Sequence, residues 1–85
     1  METTMVSRLP SLALRRQVVA AITARIARLG VTQAEAAELL GVSQPRVNAL
    51  LRGRCELFSL DTLVNLASRL GLEARIEVVR PRHPR

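Results

Sequence analysis

Few residues in this chain could carry covalent or metal chemistry. Eighty-five residues include one histidine, His83, one cysteine, Cys55, and seven carboxylates. Most of the carboxylates are spaced as helix caps or solvated charges, and His83 lies in a proline-rich stretch with no group to tune it. No nucleophile–base pair, phosphate-cradling loop or metal-ligand spacing appears. The sequence therefore predicts no enzyme, no cofactor and no metal. What it offers instead is arginine. All thirteen basic residues are Arg, the formal net charge is +6 and the sequence pI is about 11.6. A guanidinium can hold a phosphate or a guanine edge in a bidentate fork. A basic excess this large in a small domain fits a nucleic-acid partner. Anionic membranes and acidic proteins would respond to the same charge, and genomic base composition can also produce an arginine bias. Against a membrane, no apolar run approaches the roughly 20 residues that span a bilayer, and the apolar faces are needed for a core.

The elements that would position these arginines are mostly helical. The length allows one domain. With 48% apolar residues and Phe58 as the one aromatic, the core must be built from Leu, Val, Ile and Ala, which suits packed helices. Residues 1–10 show no sustained period and read as a flexible arm ending at Pro10. From Ser11 a long helix is expected, with Val19, Ile22, Ile26 and Leu29 on one face, Leu12, Arg15 and Val18 at its margins, and Arg16, Arg25 and Arg28 in solvent. Gly30 reads as its left-handed cap. Thr32 and Glu35 then form a T-x-x-E capping box, and Ala36, Leu39 and Leu40 carry the apolar face of a short helix that Gly41 ends. Ser43 caps the next helix, with Pro45 in its first turn, a Val42–Val47 staple, Val47, Leu50 and Leu51 toward the core, and Gly53 closing it. Residues 54–58 read as a loop, with Cys55 passive and Phe58 plugging the core. Ser59 caps a last helix carrying Asp61 in its first turn and Leu60, Leu63, Val64, Ala67 and Leu70 as its buried stripe, up to Gly71. From Ala74 to Val79 the period becomes two, which predicts a short half-buried strand. A further helix turn or an unstructured tail is the alternative. Residues 80–85 form a basic tail.

The informative segment runs from Thr32 to Leu51. Two helices of about eight residues are joined by a tight turn at Gly41, and small Ala36 lets them approach closely. Such a pair presents the N-terminal end of its second helix to a DNA major groove. The segment resembles the helix-turn-helix of the phage-repressor (Xre/Cro-like) family. The resemblance rests on Thr32-Gln33, Ala36, Gly41-Val42-Ser43-Gln44, Val47 and Arg52-Gly53, and extends more loosely over residues 11–70. It implies a helical domain over residues 11–79 that binds DNA. By that resemblance Gln33 contacts a phosphate at its helix N-terminus, and Ser43 caps the recognition helix and reaches a phosphate. Gln44 and, one turn further, Asn48 pair with adenine; Arg46 reaches a guanine or a flanking phosphate. Arg52 and Arg54 meet the DNA backbone. Pro45, at a position often polar in the family, offers only apolar contact, as does Ala49.

A lone strand leaves N–H and C=O groups on both edges, and no second strand is evident. The expected solution is a two-fold homodimer in which Ala74, Ile76 and Val78 of two copies pair antiparallel and pack on the helices. The strand also looks like the C-terminal strand of HigA-like antitoxins, which dimerise and repress their own operons. The fold expected is thus all-α, a compact helical bundle with a helix-turn-helix and a short C-terminal strand paired across a dimer. The function expected is a sequence-specific DNA-binding repressor acting on its own operon. The alternative is an antitoxin that neutralises a small toxin protein. With a lone cysteine and no secretory pattern in residues 1–10, the expected location is the cytoplasm.

Overall fold

A computed structural model describes residues 11–78 in full and the backbone of residues 3–7. Strand β1 covers Thr3–Ser7 and helix α1 Ser11–Leu29. Helices α2 (Gln33–Leu40) and α3 (Gln44–Leu51) follow, then a single 3₁₀ turn, Cys55–Leu57, helix α4 (Leu60–Arg69) and strand β2 (Leu72–Ile76).

The boundaries follow the local chemistry. Thr32 and Glu35 cap each other: the Glu35 N–H donates to Thr32 Oγ1 at 3.1 Å, and the Thr32 N–H donates to Glu35 Oε1 at 2.8 Å. Ser43 Oγ accepts from the Arg46 N–H and Ser59 Oγ from the Thr62 N–H. Each bond satisfies one of the donors that a helix start leaves orphaned. At Gly41 the chain enters the left-handed region, φ +72°. There the N–H groups of Gly41 and Val42 both donate to the Ala37 carbonyl, at 2.8 and 3.0 Å. A side chain at that φ would be strained, so glycine sets the tight turn between α2 and α3.

The core is one cluster drawn from every helix. Ile22, Leu40, Val47, Leu50, Phe58 and Leu63 are its largest fully enclosed side chains. Phe58 fills the middle, as the sequence predicts. Cys55, expected as a passive loop residue, is buried beside it, because the 3₁₀ turn folds inward. The helical faces are rotated slightly from those read by period. Leu12, Leu29 and Leu39 are exposed, while Leu14, Ala37 and Leu66 are buried. Leu12 and Leu29 sit in the end turns of a 19-residue helix, where the shorter helices packed on it no longer cover both ends.

The largest departure from the sequence reading is at the termini. Thr3–Ser7, expected as part of a flexible arm, is a strand. It pairs in parallel with β2, in the register Thr3↔Leu72 to Ser7↔Ile76. The C-terminal strand is therefore not alone: it has a partner within its own chain. A parallel pair needs a long crossover, and the whole helical body from α1 to α4 supplies it. The five residues Thr3–Ser7 are too short and too polar to show a period of their own. The strand also begins earlier than expected, at Leu72, and ends at Ile76, with Val78 beyond it. On the face that starts with buried Leu72 (6% exposed), cover falls away: Ile76 is 48% exposed and Val78 is 92% exposed. Ile76 is thus only about half covered and Val78 almost uncovered, where packing on the helices was expected of both. Val79, Pro10 and the basic tail 80–85, with His83, lie outside the described residues.

Leu50 is fully buried where α3 meets the core. Leu50→Ala is expected to cost about 2–5 kcal/mol, a large share of the roughly 5–15 kcal/mol that holds a domain folded. Urea denaturation should show a much lower midpoint.

Candidate nucleic-acid interface

The helix α3 is held by one face and shows the other. Val47 and Leu50 are enclosed, while Gln44, Pro45, Arg46 and Asn48 are exposed and Ala49 is half-buried. Gln44 and Asn48 stand one turn apart, so their amides share a stripe of the helix surface. Each amide presents a carbonyl acceptor and an NH₂ donor, the pair of functions that matches the adenine edge in a major groove. Ser43 is engaged as the N-cap of α3. Gln33 is exposed at the first residue of α2. All the positions singled out by sequence are thus on the surface, and those from Ser43 to Arg52 lie along one short helix and its exit.

The arginines among them differ sharply in what they do. Arg46 folds back: its guanidinium carbon lies 4.3 Å from the centroid of the Phe58 ring, and Nη1 donates to the Leu57 carbonyl at 3.5 Å. The cation roofs the aromatic core plug and ties α3 to the 3₁₀ turn, an attraction between positive charge and ring face. Arg54 is paired with Glu56, Nε to Oε2 at 2.9 Å. The hydrogen bond from Arg54 holds the Glu56 carboxyl below its ordinary range, helped by a backbone hydrogen bond. That pair favours the fold above the usual carboxylate pKa and loses its effect as pH falls through the lowered value. Arg52, at the end of α3, is exposed and has no side-chain partner among the described residues.

Three further arginines hold the frame, a role the sequence reading did not assign. Arg15 Nη1 donates to the Phe58 carbonyl at 3.2 Å, Arg25 Nε to the Leu70 carbonyl at 3.1 Å, and Arg69 Nη1 to the Leu39 carbonyl at 3.4 Å. The last two place positive charge on carbonyls at the ends of α4 and α2, where the helix dipole is negative. Arg69 also lies against the Gly41 turn, so α4 braces the joint between α2 and α3. A basic residue in the last turn of α4 was the available signal for Arg69; nothing local marks Arg15 or Arg25, whose partners lie 43 and 45 positions away.

Two short helices at a glycine turn, the second with a buried inner face and an amide-bearing outer face, define a helix-turn-helix. The comparisons agree. A family model described as a helix-turn-helix domain matches residues 3–79. A solved structure described as "Putative XRE Family Transcriptional Regulator" is similar to this chain at 34% identity, covering 86% of each chain, with a TM-score of 0.73. No curated protein matches. The chain belongs to the helix-turn-helix domain family, in its XRE (Xre/Cro-like) form, a class of DNA-binding regulators and not of enzymes. Among the described residues no helix is long and apolar enough to cross a membrane.

The packing of Arg46 on Phe58 should be visible without DNA. Arg46→Ala is expected to cost about 0.5–1 kcal/mol, lowering the thermal midpoint by about 4–8 °C per kcal/mol in a domain this small. An unchanged midpoint would show that the stacked geometry adds nothing to the fold.

Proposed function

We propose that this chain is a sequence-specific transcriptional repressor that binds duplex DNA as a homodimer, acting in the cytoplasm on its own operon. The observation that carries the reading is the two-sidedness of α3: Val47 and Leu50 sealed inward, Gln44 and Asn48 one turn apart outward. In this reading Gln44 and Asn48 read base edges in the major groove, while Pro45 and Ala49 meet apolar groups such as a thymine methyl. Gln33, Ser43, Arg52 and Arg54 contact the phosphate backbone. Arg46 joins them by a flanking phosphate while it stays stacked on Phe58, or by turning outward to a guanine. The net charge of +6 supports a backbone contribution to affinity that weakens with salt.

The dimer reading now rests on a two-stranded sheet. An isolated pair of strands is marginal in water, and parallel pairs are seldom left uncovered. The exposed Ile76 and Val78 and an outer edge on each strand suit a second copy, whose sheet would join through Ala74, Ile76 and Val78. Two recognition helices would then meet half-sites about 34–36 Å apart, one turn of the duplex. The antitoxin role is favoured by β2, the element that carries the HigA-like resemblance. Co-purification of a small toxin encoded beside this chain would support it, and its consistent absence would remove it.

Gel-shift titration against DNA from upstream of its own gene and against random duplex tests the reading. Gln44→Ala should lose about 1–3 kcal/mol of discrimination between the two. Arg52→Ala should weaken both alike and lower the salt slope by about 1. Unchanged binding in both variants would contradict the assignment.

A further inference from the structure

We infer that Arg16, on the first helix and outside the helix-turn-helix, is a DNA-backbone contact: with Arg52 it flanks a groove that receives the sugar–phosphate chain beside the recognition helix. The inference rests on the DNA-binding reading above and adds a contact from an element that reading does not use.

The groove, of about 500 Å³, runs between α1 and the end of α3, and Arg16, Ala20 and Ala24 line it on one side with Leu51, Arg52 and Gly53 on the other. Residues 16, 20 and 24 are each four apart and so form one stripe of α1. Two of the three are alanines, which keeps that wall low. Thr23 Oγ1 donates to the Leu50 carbonyl at 3.4 Å, fixing α1 against the end of α3.

Charge is what distinguishes this groove. Arg15, Arg25, Arg46, Arg54 and Arg69 are each engaged with a carbonyl or a carboxylate. Arg16 and Arg52 are exposed with no side-chain partner among the described residues, and these two share the groove. No acidic side chain lines it. The end of a helix would ordinarily repel an anion, but here three of the last four carbonyls of α3 are occupied: Asn48 by the Arg52 N–H, Ala49 by the Arg54 N–H, and Leu50 by the Gly53 N–H and Thr23. A phosphate entering between the two guanidiniums meets their N–H donors at a helix end most of whose carbonyls are already bonded.

Continuity selects the DNA backbone over an acidic peptide as the occupant. Gln44, Asn48 and Arg52 are spaced four apart along α3 and its exit, so the groove opens where the base-reading stripe ends. A duplex lying on that stripe carries its backbone past the groove. Arginine is also suited to a phosphate, which it can hold through two parallel N–H···O bonds.

The test compares the full-length wild-type, Arg16→Ala, Arg16→Lys and Arg28→Ala chains. Arg28 is exposed and without a partner among the described residues; it continues the stripe of residues 16, 20 and 24 but does not line the groove and stands about three turns from Arg16, so it controls for net charge. Affinities for the upstream duplex and a random duplex are measured between about 50 and 200 mM salt, where phosphate contacts dominate the change. Arg16→Ala should weaken binding to both duplexes by similar factors and lower the salt slope by about 1, one phosphate contact. Arg16→Lys should keep most of the slope, and Arg28→Ala should keep all of it. A wild-type chain that binds DNA while Arg16→Ala matches it, or matches Arg28→Ala, overturns this inference alone; the groove would then be open to an acidic partner. A wild-type chain that binds neither duplex overturns both this inference and the repressor reading.

Discussion

The burial of Val47 and Leu50 is the constraint on which the rest of the molecule depends. An eight-residue helix is too short to persist in water by its own hydrogen bonds. α3 exists because its inner face is sealed against α1, α2 and the Phe58 region, and that same sealing determines which residues face outward. The Ser43 cap and Pro45 set where the helix begins, and the Gly41 turn sets its angle to α2. Gln44 and Asn48 then have no freedom to choose a face. A site built this way is rigid before any ligand arrives, so binding need not order it.

Arginine serves two ends in this chain. Part of the set is structural: guanidiniums reach across the fold to carbonyl oxygens at helix ends and at the 3₁₀ turn. Lysine could supply the charge but not the planar fork with several donors. Those arginines keep their charge, but some of their N–H donors are used internally, so the net charge of +6 does not by itself say which guanidiniums can bond a partner directly. Which guanidiniums keep all their donors unbonded can be read only from the folded chain.

Much of the fold is legible in the sequence because its punctuation is local. Thr32 and Glu35 stand three apart, Gly41 follows a helical period, and Ser43 and Ser59 each precede an apolar run; the physics of a helix end involves only neighbours. The same holds for the outward face of α3. What escapes the sequence is non-local. Thr3–Ser7 becomes a strand only because Leu72–Ile76 is there to pair with it, and a five-residue segment carries no period that announces this. Leu39 fits an apolar stripe yet is exposed, because burial depends on what lies opposite. Arg46 reads as a base contact from its position in the motif, yet its side chain lies on Phe58, twelve residues later and across a turn.

The central claim is that α3 is the surface presented to DNA, and amide chemical-shift mapping tests it most directly. A ¹⁵N-labelled sample titrated with duplex from upstream of its own gene should show the largest shifts at Gln33–Ala34 and from Ser43 to Gly53. Smaller changes are expected on β1 and β2. Shifts concentrated on the two strands or on α4, with Ser43 to Asn48 unmoved, would contradict the account.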